Sequence, residues 1–213
     1  MKGQNPGATA GTDGSKLLSH SRKSAKKRDA ILRAAIEVIN VKSFALAKMS
    51  EIAARLDLRD AALYYYFPSK QALAYACHLH SLERFEDILT TADREGQTGA
   101  AKLRRLLGDL LTDSARNGPQ LYFGDLSYLT DEQRDAVSAW GLRLTDDLER
   151  FVIEGIADGS IVPCESRLVV QLLLGMLIWL AKWVPTIEDV TPERLMAAMG
   201  VVSLHGLETR RPN

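Results

Sequence analysis

The sequence predicts an all-α protein, with a three-helix head and a larger helical body that together give about nine helices. Apolar residues recur at intervals of three and four along most of the chain, which is typical of helices that bury one face. Candidate capping residues such as Ser69 and Thr130 precede several of these segments. The sequence has no alternating pattern long enough for a strand and no internal repeat. We therefore divide the chain into an arm (1–24), a head (25–70) and a body (71–213).

The first helix of the head is predicted from about Ala25 to Asn40. Its apolar stripe consists of Ile31, Ala34, Ala35, Val38 and Ile39. Residues 1–24 are rich in Gly, Ser, Thr and Ala and then in basic residues, so we expect a disordered basic arm. Lys26 and Lys27 continue this basic cluster. The cluster is either a solvated surface or a contact with nucleic-acid phosphates, where each neutralised phosphate adds affinity.

Residues 48–70 predict two short helices joined by a tight turn. One face of the first short helix is shared by Ile52, Ala53 and Leu56. Asp57 tolerates the left-handed backbone that ends a helix, and Pro68 stops the second short helix. The small Ala53 lies where the two helices must approach closely. The pattern predicts a helix-turn-helix, which places its second helix in the major groove of DNA.

The second short helix has a core face and a DNA face. Leu63 and Phe67 are four residues apart and should face the core of the head. The residues left for the DNA face are Arg59, Asp60, Ala61, Ala62, Tyr64, Tyr65 and Tyr66. Three consecutive tyrosines cannot all point inward, and a phenol hydroxyl can donate to a phosphate oxygen. Lys48 and Ser50, at the start of the first short helix, are further candidate phosphate contacts.

Asp60 has two possible roles. An acid close to phosphates is repelled unless it has a partner. Asp60 either caps the second short helix, because Arg59 stands where Ser or Thr usually caps, or accepts a hydrogen bond from a cytosine N4 amine. Either role leaves Arg59 free to contact a phosphate or a guanine.

The run from Leu63 to Lys70, followed by Ala72 and Leu73, resembles the recognition-helix signature of the tetracycline-repressor (TetR) family. The first helix and the Ile52-Ala53 pair are similar to that family's DNA-binding domain. Phe44 occupies its aromatic position, and Ser43 stands where a Gly is usual. The resemblance covers about residues 25–75.

The resemblance implies roles for individual positions. Those of Asp60, Ala61 and Ala62 would approach base edges, and those of Tyr64, Tyr66 and Lys70 would contact phosphates or bases. Asp60 departs from the family, which usually has a cation or a neutral residue there.

The net charge of zero hides an asymmetry along the chain. Residues 1–70 contain 13 Lys and Arg against 6 Asp and Glu, a net charge of +7. Residues 71–213 contain 14 against 21, a net charge of −7. A basic head on an acidic body suggests that the head binds a polyanion and the body does not.

The body is predicted to contain long helices and a short helical piece near Leu121–Leu126. Residues 165–183 are apolar on nearly every side, so this helix should be buried, with one side against another subunit. The predicted dimer interface comprises Leu172, Leu173, Leu180, Leu195, Met199 and Val202. The uncharged run between Arg167 and Lys182 is 14 residues long. A membrane span needs about 20, so we expect no membrane partner.

The body also contains candidate ligand-binding residues. They are Leu106, Leu110, Tyr122, Phe123, Trp140, Leu144, Met176 and Trp179. The alternative is that these side chains form an ordinary core. The family resemblance implies a ligand pocket in this region. The segment from Gly175 to Trp183, with Pro185 and Thr191, is similar to members that respond to acyl-CoA thioesters or other large apolar acids.

The sequence offers no catalytic constellation, nucleotide-binding loop or cofactor motif. Cys77 and His80 share a helix face, but no second cluster completes a metal site, so we predict neither metal nor cofactor. With two cysteines and no signal peptide, the chain is expected to be cytoplasmic.

The sequence therefore predicts a homodimeric transcriptional regulator, a repressor, that binds a pseudo-palindromic double-stranded operator. A small-molecule effector would lower its affinity for DNA. The alternative is a helical small-molecule-binding protein or enzyme whose head is only a packing module.

Overall fold

The computed structural model describes residues 12–121 and 125–204, of which 12–22, 203 and 204 are described by their backbone alone. These residues form eight α-helices and no strand, which confirms the predicted all-α class. The helices are α1 Thr12–Leu46, α2 Met49–Ala54, α3 Asp60–Tyr66, α4 Lys70–Glu95, α5 Gly99–Asn117, α6 Asp131–Ala157, α7 Ser166–Trp183 and α8 Pro192–Met199. A 3₁₀ turn, Val184–Thr186, follows α7, and a short π-helical segment, Gly200–Leu204, follows α8.

The first helix is longer at both ends than the sequence predicts. Its backbone is helical from Thr12, whereas the sequence placed the start near Ala25; residues 1–11 lie outside the described part, and the disordered arm stays a prediction. At the other end, Ser43 has φ of 69° and interrupts the helix. Glycine adopts this conformation without strain, which explains the usual Gly at the position.

The three-helix head packs around one apolar core. The buried face of α1 contributes Ile31, Ala35 and Ile36, and the short helices contribute Ile52 and Leu63. Lys42 pairs with Glu51 at 2.9 Å and Arg55 pairs with Glu37 at 2.8 Å, so two ion pairs join α1 to α2.

Helix α4 belongs to both head and body. Ser69 caps it as predicted, because the serine hydroxyl accepts a hydrogen bond from the Ala72 amide at 3.0 Å. Leu73 and Cys77, in its first turns, are buried in the head core, whereas Leu89, near its end, is buried in the body core. The domain boundary predicted at residue 70 thus falls at the first residue of a helix that the two parts share.

Four charged side chains fix α4, α5 and α6 to one another. Asp93 accepts hydrogen bonds from Arg150 and Lys102, each at 2.7 Å, and Lys102 also donates to Glu154 at 2.6 Å. The hydrogen bonds from Arg150 and then Lys102 lower the pKa of Asp93 to about 2. The carboxylate is therefore ionised at neutral pH and holds the three helices together.

The segment between α5 and α6 differs from the prediction. The sequence suggested a short helix near Leu121–Leu126, but Leu121, Asp125 and Leu126 are not helical and residues 122–124 lie outside the described part. This removes one of the nine helices expected. Thr130 caps α6 through a capping box with Gln133, as its sequence position predicted.

Helix α7 is apolar but far from buried. The 21 residues Ser166–Thr186 are long and apolar enough to cross a membrane by length and composition, and only 11% of the most apolar window is buried. Only Val170 and Leu173 of α7 are buried within the single chain, so burial of its other side by a second subunit stays a prediction. From the sequence, only the 14 uncharged residues were compared with the length of a membrane span. That comparison failed, because the helix and the turn after it extend the apolar segment to 21 residues.

Candidate functional site

The turn between α2 and α3 has the geometry that its residues predict. Asp57 has φ of 54°, the left-handed conformation that ends α2. The Leu58 amide donates to the Ala53 carbonyl at 2.9 Å across this turn, and Leu58 packs on the head core. This is the Schellman arrangement of a helix end, with its apolar contact. Ala53 is fully buried, and its small side chain allows α3 to approach α2 closely.

The turn leaves one face of α3 in solvent. Leu63 and Phe67 are buried, as predicted, whereas Tyr65 is 82% exposed and Tyr64 is 49% exposed. Tyr66 is partly buried against the head core, and its ring meets the edge of Tyr65 at 5.2 Å. The other exposed residues of this face are Arg59, Asp60 and Ala61, with Ala62 half-buried beside them.

Two cations stand beside this face without an ion pair. Lys48 and Arg59 are both exposed, and neither makes a salt bridge among the described residues. By contrast, Lys42 and Arg55 are paired with acids of the head. Ser50 is exposed next to Lys48, and Lys26 is exposed on α1. This arrangement of hydroxyls and unpaired cations suits the phosphates that flank a groove of DNA.

Lys70 has a different place from the one expected. Its ammonium donates to the carbonyl oxygens of Phe44 at 2.8 Å, Ala47 at 3.1 Å and Ala45 at 3.3 Å. It also lies 4.4 Å from the centre of the Phe44 ring. An ammonium has three donors, and all three are used here. The expected phosphate contact conflicts with this geometry, and the side chain instead satisfies carbonyls at the end of α1.

Asp60 does not cap α3. The capping position is Arg59, which makes no side-chain hydrogen bond to the helix, and Asp60 follows it in the first turn. A carboxylate there interacts favourably with the positive end of the helix dipole. The cap was the favoured of the two roles for Asp60, and it is wrong; base contact remains a prediction.

The body contains a large apolar cavity. Its volume is about 630 Å³, and it is lined from α4 to α7, from the segment before α6 and from residues 184–195. Leu82, Phe85, Leu111 and Leu177 are among its apolar walls. The volume and the composition are those of a site for a small organic molecule.

The structure agrees with some of the predicted ligand-binding residues. Leu110 and Leu144 line the cavity. Leu106 lies in the body core, Met176 packs on that core, and Trp179 is 54% exposed. Trp140 donates its indole N–H to Glu86 at 3.1 Å, and Tyr122 and Phe123 lie outside the described residues. Periodicity marks residues that face inward, but it does not separate core from cavity wall.

The wall of the cavity is bonded directly to the head. Asn40, buried near the end of α1, donates from Nδ2 to the carbonyl of Gln120 at 2.8 Å. Gln120 lines the cavity. The Asn40 carbonyl in turn accepts from Lys182 at the end of α7. These residues were not predicted from the sequence; an Asn directly after the apolar stripe of the first helix was the available signal.

A second contact joins head and body through Tyr128. Its ring stacks on Phe44 at 3.8 Å, and its hydroxyl lies 2.8 Å from Nε2 of His78. Burial lowers the pKa of His78 to about 4 and raises the pKa of Tyr128 to about 12. Both groups are therefore neutral at pH 7 and share a neutral hydrogen bond.

The predicted dimer residues separate into three groups. Leu172 and Val202 are 71% and 76% exposed. Leu173 and Met199 are buried in the body core, so they are not available to a partner in this arrangement. Leu180 and Leu195 are half-buried and line the cavity. Periodicity placed all six on apolar faces, but α7 and α8 each have one apolar face inward and another outward.

Two family matches cover nearly the whole described chain. Residues 31–77 match the bacterial regulatory proteins of the tetR family, and residues 96–207 match the tetracyclin repressor-like C-terminal domain. The chain belongs to the TetR family. It is therefore a TetR-family transcriptional regulator, and the alternative of a head that serves only for packing is not favoured.

Solved structures of other regulators share the fold of this TetR-family chain. PfmR from Thermus thermophilus has a TM-score of 0.69 at 25% identity, covering 84% of this chain and 99% of PfmR. AibR, solved in complex with isovaleryl coenzyme A and operator DNA, has a TM-score of 0.67 at 24% identity, covering 82% and 97%. The ketosteroid regulator KstR2 of Mycobacterium tuberculosis has a TM-score of 0.73 at 13% identity, covering 86% and 96%. Comparison with curated protein sequences gives no significant match.

The Cys77–His80 pair of this TetR-family protein belongs to no larger cluster of metal-ligand type within the described ranges. Cys77 is buried with its thiol 3.7 Å from the Leu32 carbonyl oxygen. Burial raises the pKa of this thiol, so it is a packing group rather than a nucleophile.

Proposed function

We propose that this TetR-family protein is a cytoplasmic homodimeric repressor that a small molecule releases from a pseudo-palindromic operator. Two heads related by a two-fold axis suit two half-sites on one face of the duplex. The effector would occupy the cavity of the body and favour a head spacing that no longer fits the operator. It can do so only if its affinity differs between the two spacings.

The observation that carries this proposal is the hydrogen bond between Asn40 and Gln120. One partner belongs to the helix that supports the DNA-binding head, and the other lines the cavity. A ligand that shifts Gln120 must therefore shift or break a buried contact with α1. Lys182, which donates to the Asn40 carbonyl from the end of α7, adds a second attachment at the same place.

For the DNA contacts, we propose that Arg59 and Lys48 bind phosphates or guanine, because both are exposed and unpaired beside α3. The other proposed contacts are Lys26, Lys27, Ser50, Asp60, Ala61, Ala62, Tyr64, Tyr65 and Tyr66. Small side chains at Ala61 and Ala62 would allow α3 to lie deep in the groove and meet a thymine methyl.

For the effector, we propose a large apolar molecule, of which an acyl-CoA is one possibility. The AibR structure was solved with isovaleryl coenzyme A. In the present chain, a 630 Å³ cavity has room for an acyl chain, with the charged coenzyme remaining outside.

The DNA-binding proposal can be tested by anisotropy with the DNA that flanks this chain's own coding sequence. We expect Arg59→Ala and Lys48→Ala each to weaken binding by about tenfold and to lower the salt slope by about one. Arg94→Ala is the matched control, since it removes an exposed cation from the body and should change neither quantity. Unchanged affinity in both head variants would contradict the proposed face.

A further inference from the structure

The cavity wall contains no charged side chain among the described residues. Its polar members are Ser114, Gln120, Ser138, Thr145, Gln171 and Thr191. The hydroxyl of Thr145 already donates to the Gly141 carbonyl at 2.8 Å, and Thr191 caps α8. Ser138 and Gln171 are exposed, at the rim between α6 and α7. A buried ionised group on a ligand would find no counter-ion here, which makes its burial costly.

Gln120 is the polar residue of the wall with an unused buried donor. Its side-chain Nε2 is shielded from solvent and has no hydrogen-bond partner within residues 12–121 and 125–204. The backbone carbonyl of the same residue accepts a hydrogen bond from Asn40, which fixes the backbone from which the side chain extends. The terminal torsion of glutamine is broad, so the N–H groups can turn into the cavity at small cost. A buried donor without an acceptor is unfavourable, and a ligand that supplies an acceptor removes this cost.

We infer that the cavity encloses an uncharged, largely apolar group whose carbonyl oxygen accepts a hydrogen bond from Nε2 of Gln120. This inference rests on the proposed function, in which the cavity is the effector site. Esters, thioesters, lactones and ketones have the required chemistry. Free carboxylic acids do not, because at neutral pH they are anions. The large apolar acids suggested by the family resemblance would thus bind as neutral acyl derivatives.

The same carbonyl chemistry has two sources, a coenzyme A thioester and a free neutral carbonyl compound. A thioester would place its acyl chain and carbonyl inside, with the phosphates beyond the rim in solvent. A free ester or lactone would be enclosed entirely. Both use Gln120 in the same way, and they differ only in what lies outside the cavity.

The test is calorimetric titration of the full-length protein, without DNA, with methyl decanoate, decanoate and decanoyl-CoA at pH 8. We expect methyl decanoate to bind at least tenfold more tightly than decanoate, because only the ester enters without burying a charge. Decanoyl-CoA decides the source: tighter binding than the ester indicates a thioester, and weaker binding indicates a free neutral compound.

Variants then test whether Gln120 donates the hydrogen bond to the ligand carbonyl. Gln120→Leu replaces the side-chain amide with an apolar group of roughly similar size. It should weaken the binding of methyl decanoate by about tenfold. Ser138→Ala is the control, since it alters an exposed polar member of the wall and should have no effect. Melting curves will show that both variants are folded, and the comparison of ester with carboxylate on the unmodified protein needs no variant.

Three results would overturn the inference: decanoate binding as tightly as the ester, Gln120→Leu binding the ester normally, or no binding by any of the three probes. Since no DNA is present, these results are independent of operator recognition. If the head variants behave as proposed and these titrations fail, only the ligand chemistry is wrong.

Discussion

Lys70 connects the end of α1 to the start of α4 through its ammonium group. Three carbonyls that the interrupted helix leaves without amide partners point toward this group. The positive charge also lies at the negative end of the α1 dipole. The side chain therefore joins the first and last helices that pack in the head.

We expect Lys70→Met to lower the free energy of unfolding by about 2 kcal/mol, because hydrogen bonds from a charged group to buried carbonyls are lost. Urea denaturation followed by circular dichroism measures the change. Lys48→Met is the matched control. Lys48 is exposed and unpaired, so its replacement should change stability by less than about 0.5 kcal/mol while weakening DNA binding. Equal stability of the two variants would restore the phosphate role for Lys70.

At the level of single elements, the sequence predicted where helices lie better than how they pack. Ser69 and Thr130 cap their helices as expected, because capping depends on a few neighbouring residues. The packing of α7 could not be predicted from neighbouring residues in this way. Its apolar residues surround the helix, and periodicity cannot show which of them meet the same chain, which line a cavity and which face a partner.

Gly99 is a second case in which local pattern was insufficient. Its sequence position suggests only a break between α4 and α5. In the structure it begins α5 and lies against α6, where a Cβ atom would be 2.1 Å from the backbone nitrogen of Gly155. Backbone atoms cannot yield as a flexible side chain can. The glycine therefore permits two helices to approach, a requirement that depends on residues far away in the sequence.

We expect Gly99→Ala to lower the free energy of unfolding by about 1–3 kcal/mol through overpacking. Gly108→Ala, in the same helix, should raise it by up to about 1 kcal/mol, because a Cβ there meets no atom within 4 Å and alanine has the higher helix propensity. Urea denaturation of both variants measures these changes in the free energy of unfolding. A stabilisation common to both variants would show that helix propensity, rather than contact with Gly155, decides the effect at Gly99.

For the whole molecule, the charge asymmetry was the most informative property of the sequence. The basic residues of the head predicted a polyanion-binding part, and the family match agrees with that prediction. The family resemblance implied a pocket in the body, but the link of the cavity to the head was not predictable, since Asn40 and Gln120 are 80 residues apart in the chain. Contacts of this kind follow from the tertiary arrangement and have no local pattern.

The arrangement of the body leaves an apolar surface that a second copy would cover. Leu168, Leu172, Gly175 and Trp179 are exposed along one face of α7, and Val201 and Val202 are exposed after α8. Exposed large apolar side chains that share a helix face are typical of an interaction site. A self-complementary patch of this kind suits a two-fold axis, which would also place two heads on one side of the dimer.

We expect Leu172→Arg to convert the dimer to a 23.5 kDa monomer in light scattering, because a charge at this position would be buried without a partner in the interface. Ile153→Arg is the matched control. Ile153 is also an exposed apolar residue, at 53%, but it lies on α6. The monomer should remain folded and bind a single half-site weakly, since it loses the second head. A dimer that persists in Leu172→Arg would place the two-fold axis on another surface of the body, and the spacing of the two heads would then have to be derived from that surface instead.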